Sequence, residues 1–339
     1  MTERAAILMA GGAGTRLWPL STEENPKQFL ELFAGSSLLQ LAWNRMRKFL
    51  SPSRIFVSTN ERYRAKVSSQ LREIPEENIL VEPARRNTAP AIAICCREVA
   101  RLMGHDPIIG IFPADQHIGD EAAFLASIET AYEFAADQPW LVTLGIDPDH
   151  PNTGFGYLEL GEELAPGVIR LQRFVEKPSI ARAEEFLRAG NFVWNAGMFV
   201  WRQSTFAATL AATAQEIDEI AGRWDPALPP RARREIYESM PAISIDFAVM
   251  EKAANVATVR SACGWSDVGS WKAVAALVPQ AEAPEIHLEE SDRVLVRSDG
   301  LRPVVVIGMR NVAVIDAPEG LLVLDLDRSE SLSKIVKRL

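Results

Sequence analysis

Cysteine is scarce in this chain, with three among 339 residues: Cys95, Cys96 and Cys263. That odd count and spacing give neither a disulfide framework nor a metal knuckle, and they fit a reducing compartment. Histidine is nearly as rare, and its four residues are scattered, so no zinc cluster is written here. No apolar run reaches the ~18 residues of a membrane-spanning helix. The N-terminus enters a strand-like run without a basic, apolar and small-residue leader pattern, so a cytoplasmic location and no membrane partner are expected. Positive charge is also lacking. Against 45 acidic residues stand 36 Lys and Arg, and the net charge of -9 argues against nucleic acid as a partner. Any phosphate must then be met by local cations.

Two familiar phosphate loops are absent as well. No lysine directly follows a glycine of Gly11-Gly12-Ala13-Gly14, as a P-loop requires. A Rossmann turn needs a third glycine where Leu17 stands, and an acid at the end of the next strand ~20 residues on. What is present is a short apolar run, Ala5 to Ala10, ending in those glycines and followed by Arg16 and Lys27. Glycine lets a backbone approach a phosphate closely and tolerates positive φ, and two cations follow to neutralise it. The arrangement suits a nucleoside triphosphate.

The length allows a large catalytic domain and a smaller one, at ~100 to 200 residues per domain. Strand-like runs at 5–10, 54–58, 107–112 and 140–145 alternate with helical patterns at 37–50, 61–72, 88–103 and 121–136, which predicts an α/β fold with a mainly parallel sheet. In the third helix Thr88 is a cap, Pro90 suits the first turn and Gly104 ends it. Strands at 154–160, 169–175 and 192–201 and helices at 204–221 and 231–238 extend the pattern, with prolines 226, 229 and 230 in a loop expected to wall the ligand edge. Residues 281–285 read as a linker. After it, β-rich runs at 293–297, 303–307, 311–315 and 320–325, with turns at Asp299-Gly300 and Glu319-Gly320, predict a small β domain and a terminal helix. The expected division is therefore 1–280 and 281–339.

Ligands of open α/β sheets gather beyond the carboxyl ends of strands, which draws attention to Asp115 after the run ending at Phe112. It either makes a turn or holds a divalent cation. Asp267, in Gly264 to Trp271, either caps the helix beginning near Trp271, as Ser270 also would, or supplies a second carboxylate to magnesium. Glu176-Lys177-Pro178 is a solvated turn or a sugar-phosphate grip. Asn195 lies inside the apolar run Phe192 to Trp201, where a buried amide must find partners in backbone or a polyhydroxy ligand. Glu82 to Thr88 precedes a helix N-terminus, and its Asn87 and Thr88 either cap that helix or frame a base and ribose.

Together these pieces resemble the sugar-1-phosphate nucleotidyltransferases. The resemblance spans 7–271 and rests on AGGAGTRLWPLS with PKQFL, EPARRNTAPAIA, FPADQHI, TGFGYLEL, FVEKP, WNAGMFVW, SIDFAVMEK and GWSDVGSW, in family order. The variants around Trp18 and Arg86 look like the guanylyl branch that acts on mannose 1-phosphate, in its short form. Ala196 and Phe155 depart from the serine and tyrosine common there.

The resemblance implies a nucleotidyltransferase fold with a left-handed β-helix-like appendage, which carries an expectation of a homodimer. It implies GTP and mannose 1-phosphate as substrates, with a sugar-phosphate oxygen attacking the α-phosphorus and pyrophosphate leaving. A phosphate already ionised at neutral pH needs alignment and charge neutralisation, not a protein nucleophile. By the same resemblance Arg16 and Lys27 neutralise the triphosphate, Asp115 and Asp267 hold Mg²⁺, and Gly11, Gly12, Gly14 and Thr15 line the nucleotide. Glu82, Asn87 and Thr88 lie near base and ribose, Lys177 meets the sugar phosphate, and Gly156, Glu176 and Asn195 face the sugar. A related guanylyltransferase for manno-heptose or glucose 1-phosphate, and a silent nucleotide-sugar sensor, are the alternatives. A sensor commonly loses one of Arg16, Lys27, Asp115, Lys177 and Asp267, and all are retained.

Overall fold

The computed structural model describes residues 3–338 except 13, 15, 34, 105, 279–285, 299–302 and 337. Two compact units emerge: 1–11, 43–114 and 118–265 make the first, and 12–42, 115–117 and 266–339 the second. The linker 281–285, the 280/281 boundary and the Asp299-Gly300 turn lie outside the described residues. Compactness groups the chain differently from that boundary, because segment 12–42 joins the C-terminal strands.

In chain order the strands begin β1 (Arg4–Met9), β2 (Ile55–Asn60), β3 (Ile79–Glu82), β4 (Ile108–Pro113), a two-residue β5 (His117–Ile118), β6 (Leu141–Ile146), β7 (Gly156–Ala165), β8 (Val168–Glu176), β9 (Phe192–Arg202) and β10 (Val256–Arg260). All but β5 form one nine-stranded sheet of the first unit, ordered β3-β2-β1-β4-β9-β6-β10-β8-β7. Among these described strands only β8 and β9 oppose the common direction, so the sheet is mixed and mainly parallel as expected. Ala5 to Leu8 of β1 are wholly buried, the continuous apolar run of a strand covered on both faces. The chain moves from β1 out to β2 and β3, then returns to β4 on the other side of β1. Their carboxyl ends flank a topological switch point.

The helices of this stretch are α1 (Leu38–Arg47), α2 (Arg64–Gln70), α3 (Thr88–Met103), α4 (Glu121–Asp137), α5 (Ile180–Ala189), α6 (Gln203–Thr213), α7 (Gln215–Ala221) and α8 (Pro230–Ser239). Gly104, at φ 70°, ends α3 as predicted, but its N-cap is Asn87 and not Thr88. The single helix expected over 204–221 breaks at Ala214, which leaves helical backbone at φ -143°, ψ 53°. Neither β3 nor α5 was legible. Each buries little: one residue of β3, and only Ala183 and Phe186 of α5.

The chain continues with β11 (Trp265–Ser266), α9 (Trp271–Leu277), β12 (Ile286–Glu289), β13 (Asp292–Ser298), β14 (Val304–Ile307), β15 (Arg310–Ala317), β16 (Gly320–Asp325) and α10 (Leu332–Val336). In the second unit β12 pairs in parallel with β14, and β13 with β15, each 18 residues further on, so the chain climbs one coil at a time before the β15–β16 hairpin. Leu17, Leu30 and Leu32 from the glycine-loop segment share one core with Trp271, Leu295, Ile315 and Leu322. A Cβ at Gly320 would stand 2.8 Å from the Trp18 ring, so the hairpin needs glycine there. Among the described residues no helix is long and apolar enough to cross a membrane.

Candidate active site

In the second unit Lys27 opens a 3-10 turn, Lys27–Phe29, directly after Pro26. Its stem is buried, and its ammonium meets Asp115 Oδ2 at 2.9 Å and donates to the Asp267 carbonyl at 2.5 Å. One cation thus ties the Asp115 carboxylate to the backbone at Asp267, more than 150 residues further on. Ser270, not Asp267, caps α9 by accepting from the Ala273 N–H, so capping does not account for the Asp267 carboxylate. That carboxylate accepts from the Gly269 N–H at 3.2 Å, and a Cβ at Gly269 would lie 2.3 Å from its Oδ2. Val268 beside it holds φ 48°, a strained state for a β-branched residue.

The protein itself crowds the glycine loop only at Gly11. None of Gly11, Gly12 and Gly14 has a positive φ, so the left-handed freedom expected of them is not used. In the second unit the Gly12 carbonyl accepts from Gln28 Nε2 at 2.9 Å, and a side chain at Gly12 would meet open space. Gly14 rests against the Lys27 stem, at 3.5 Å from a built Cβ. Arg16 is exposed and has no ion pair among the described residues, and Thr15 lies outside them. Carboxylate oxygens beside a lysine suit a hard cation such as magnesium, which takes one or two carboxylates and leaves its other positions to water and phosphate. Among the described residues no group of three or more His, Cys, Asp or Glu builds a complete cage.

Gly11 belongs to the first unit, where Glu82 explains it. A Cβ at Gly11 would fall 2.8 Å from Glu82 Oε1. That oxygen accepts from the Ser58 hydroxyl at 2.8 Å, and Oε2 accepts from the Tyr237 hydroxyl of α8 at 2.8 Å. Burial pushes the Glu82 carboxyl above its ordinary range, and the two hydroxyls only partly offset it. Asn87, at φ 67°, accepts from the Thr88 N–H, while the Thr88 hydroxyl accepts from the Ile245 N–H at 2.9 Å.

The other candidate residues of this unit meet at the register pair Gly156–Glu176 and its neighbour Tyr157–Trp194. A Cβ at Gly156 would lie 2.6 Å from Glu176 Oε2 and 3.3 Å from the Asn195 Cβ. Lys177 takes φ 46° at the strand end, and its ammonium pairs with Glu176 Oε1 at 2.8 Å. The Glu176 N–H donates to Glu251 at 2.8 Å. Asn195 Nδ2 donates to Asp246 Oδ1 at 3.1 Å, and burial, then Glu176, pushes the Asp246 carboxyl up to about 6. Phe155 packs edge-on against both Trp194 and Trp265, an apolar wall next to Gly156.

Residues 5–283 match the model of the nucleotidyl transferase family. The chain belongs to this family. The nucleotidyltransferase is 37% identical over its whole length to the xanthan biosynthesis protein XanB of Xanthomonas campestris pv. campestris, covering 74% of that protein. It is 36% identical over 98% of its length to a mannose-1-phosphate guanylyltransferase of Klebsiella pneumoniae, covering 73% of it. A Thermus thermophilus protein, whose crystal structure is described as a mannose-1-phosphate geranyltransferase, superposes with a TM-score of 0.87 at 31% identity over 99% of both chains. The enzyme is therefore a nucleotidyltransferase with nucleotide and sugar-phosphate substrates.

Sequence reasoning gave no site role to Gln28, Ser58, Tyr237, Thr143 or Asp246, although Gln28 and Asp246 lie in the PKQFL and SIDFAVMEK segments. Ser58, Tyr237 and Thr143 show no local signal, because their partners are distant in sequence. Asp246 had one: it heads a buried run, Ala248 to Met250, in a single π turn, Asp246–Met250.

Proposed function

We propose that this nucleotidyltransferase is a mannose-1-phosphate guanylyltransferase, joining GTP and mannose 1-phosphate into GDP-mannose and pyrophosphate. The observation that carries the reaction type is Lys27, whose ammonium pairs with the Asp115 carboxylate and holds the backbone of Asp267 through its carbonyl. The guanylyl and mannose assignments draw their support from relatives at 36% identity over nearly the full chain.

In this reading Lys27 and Arg16 neutralise the triphosphate and the departing pyrophosphate. Asp115 and Asp267 hold Mg²⁺, which when bound supplies Lewis-acid charge stabilisation at the reacting phosphates. Lys177, whose ammonium pairs with Glu176, meets the sugar phosphate, while Gly156, Glu176 and Asn195 take the sugar hydroxyls. Gly11, Gly12, Gly14 and Thr15 line the nucleotide, and Glu82, Asn87 and Thr88 serve the base and ribose. The sugar phosphate arrives ionised, so orientation replaces base catalysis.

The enzyme works in the cytoplasm in this proposal, in keeping with its three free, buried cysteines. It acts as a homodimer; Val305, Ile307, Leu321 and Val323 of the C-terminal strands are 58–65% exposed, apolar surface that a second copy would cover. The test is a pyrophosphate-release matrix of GTP, ATP, UTP and dTTP against mannose, glucose and manno-heptose 1-phosphates, with and without Mg²⁺. GTP with mannose 1-phosphate is expected to be fastest, and only with the metal. A preference for UTP or dTTP overturns the guanylyl assignment, and a faster glucose or heptose arm overturns the sugar.

A further inference from the structure

The Asn195 amide is held from three sides. Its Oδ1 accepts from the Gly197 N–H at 3.1 Å and lies 2.8 Å from the Thr143 hydroxyl, whose single proton it shares with the Met198 carbonyl at 2.9 Å. Its Nδ2 donates to Asp246 Oδ1. A backbone N–H can only donate and a carboxylate can only accept, so these two partners fix which end of the amide is oxygen. Rotated by half a turn, the amide would set N–H against N–H and oxygen against carboxylate. Among the described residues the second amide N–H meets no acceptor.

Asp246 is itself well placed to impose this. It begins the π turn, and the residues just before it are pinned to the start of α3, since the Ala89 N–H donates to the Ile243 carbonyl and the Ile245 N–H to the Thr88 hydroxyl. The carboxylate therefore projects from a backbone tied down on one side and closed by the π turn on the other. Glu176 and Lys177 are the charged neighbours acting on it. Its side chain is half-buried.

We propose that Asp246 is a positioning residue for sugar recognition: it locks the Asn195 amide so that its free N–H is presented to a hydroxyl of the sugar 1-phosphate. This rests on the sugar role given to Asn195 above. Without Asp246 the remaining partners still favour Oδ1 facing Gly197, but Nδ2 has no acceptor to set the plane of the amide, and the donor is no longer aimed.

The test is steady-state kinetics of Asn195→Ala, Asp246→Ala, Asp246→Asn and the double Ala variant, with GTP and mannose 1-phosphate varied separately. Asp246→Ala is expected to raise KM for mannose 1-phosphate about tenfold, the scale of one misaimed hydrogen bond, with KM for GTP unchanged. Asp246→Asn keeps an acceptor oxygen and is expected to recover most of the loss. In the Asn195→Ala background, removing Asp246 is expected to add nothing. A full additive effect in that background, or an Asp246→Ala enzyme with parental sugar KM beside an Asn195→Ala enzyme that is impaired, overturns the proposal. An Asn195→Ala enzyme with parental sugar KM removes the sugar-site reading itself, and the proposal with it. Should the Ala variant not fold, Asp246→Glu keeps the charge and displaces the acceptor by one methylene. The same sugar-specific rise is expected from it, and its absence is equally contrary.

Discussion

Asp115, in the second unit, lies 2.9 Å from the Lys27 ammonium with 40% of its side chain exposed. Glu82 and Asp246, in the first, are enclosed and are met mainly by neutral donors: two hydroxyls for Glu82 and an amide for Asp246. A carboxylate beside a cation and open to water stays ready to trade its partner for another positive charge. An enclosed one is pushed toward neutrality, as both Glu82 and Asp246 are. In the proposed function the contrast becomes a division of labour, with triphosphate and metal assigned to the second unit, and the sugar with its phosphate and the base assigned to the first. Glu176 stands between the types, enclosed yet paired with Lys177.

The comparison is broken most directly at Asp115. Asp115→Asn is expected to cut turnover about a thousandfold, as removing a group that stabilises transition-state charge does. Asn keeps an acceptor oxygen for the buried Lys27 ammonium, so the loss of stability is expected to stay within about 1–2 kcal/mol by thermal melting. Near-parental pyrophosphate release would remove Asp115 from the reaction. Gly11→Ala probes the other side, because its Cβ would press within 2.8 Å of Glu82 Oε1. Displacing that buried carboxylate is expected to cost about 1–3 kcal/mol in urea unfolding and to raise KM for GTP.

How much of this was readable follows from which contacts are local. β1, β4 and α3 announced themselves through unbroken apolar runs and terminal Pro90 and Gly104, since such elements are specified by their own residues. The edge strand β3 is four residues long and buries one, so periodicity had nothing to detect. The tie between Lys27, Asp115 and Asp267 spans most of the chain, and family order suggested it where spacing alone did not. Similarly, the packing of Leu17 and Leu30 with Ile315 and Leu322 is a long-range contact that composition placed in separate domains.

Smaller effects sharpen the contrast. Tyr237→Phe deletes one of two hydroxyls on Glu82 and is expected to lower stability by about 1–2 kcal/mol in urea, with a higher Glu82 pKa. Asp246→Asn should act in the opposite direction. A carboxyl pushed up to about 6 from an ordinary 3.8 costs stability while ionised, fully above about 6 and progressively less as pH falls toward 3.8. The variant is therefore expected to be about 1 kcal/mol more stable than the parent at pH 8 and equal to it near pH 4. Urea midpoints across that range decide it, and an advantage that grew at low pH would contradict the sign.

The division of labour is tested most directly by measuring turnover and KM for mannose 1-phosphate in Glu176→Gln and Asp267→Asn side by side. The prediction is a split: Glu176→Gln raises the sugar KM about tenfold with turnover within a few-fold, and Asp267→Asn lowers turnover more than about a hundredfold with the sugar KM nearly unchanged. If Asp267→Asn acts chiefly on the sugar KM, or Glu176→Gln chiefly on turnover, the assignment of metal and triphosphate to one unit and sugar to the other is wrong.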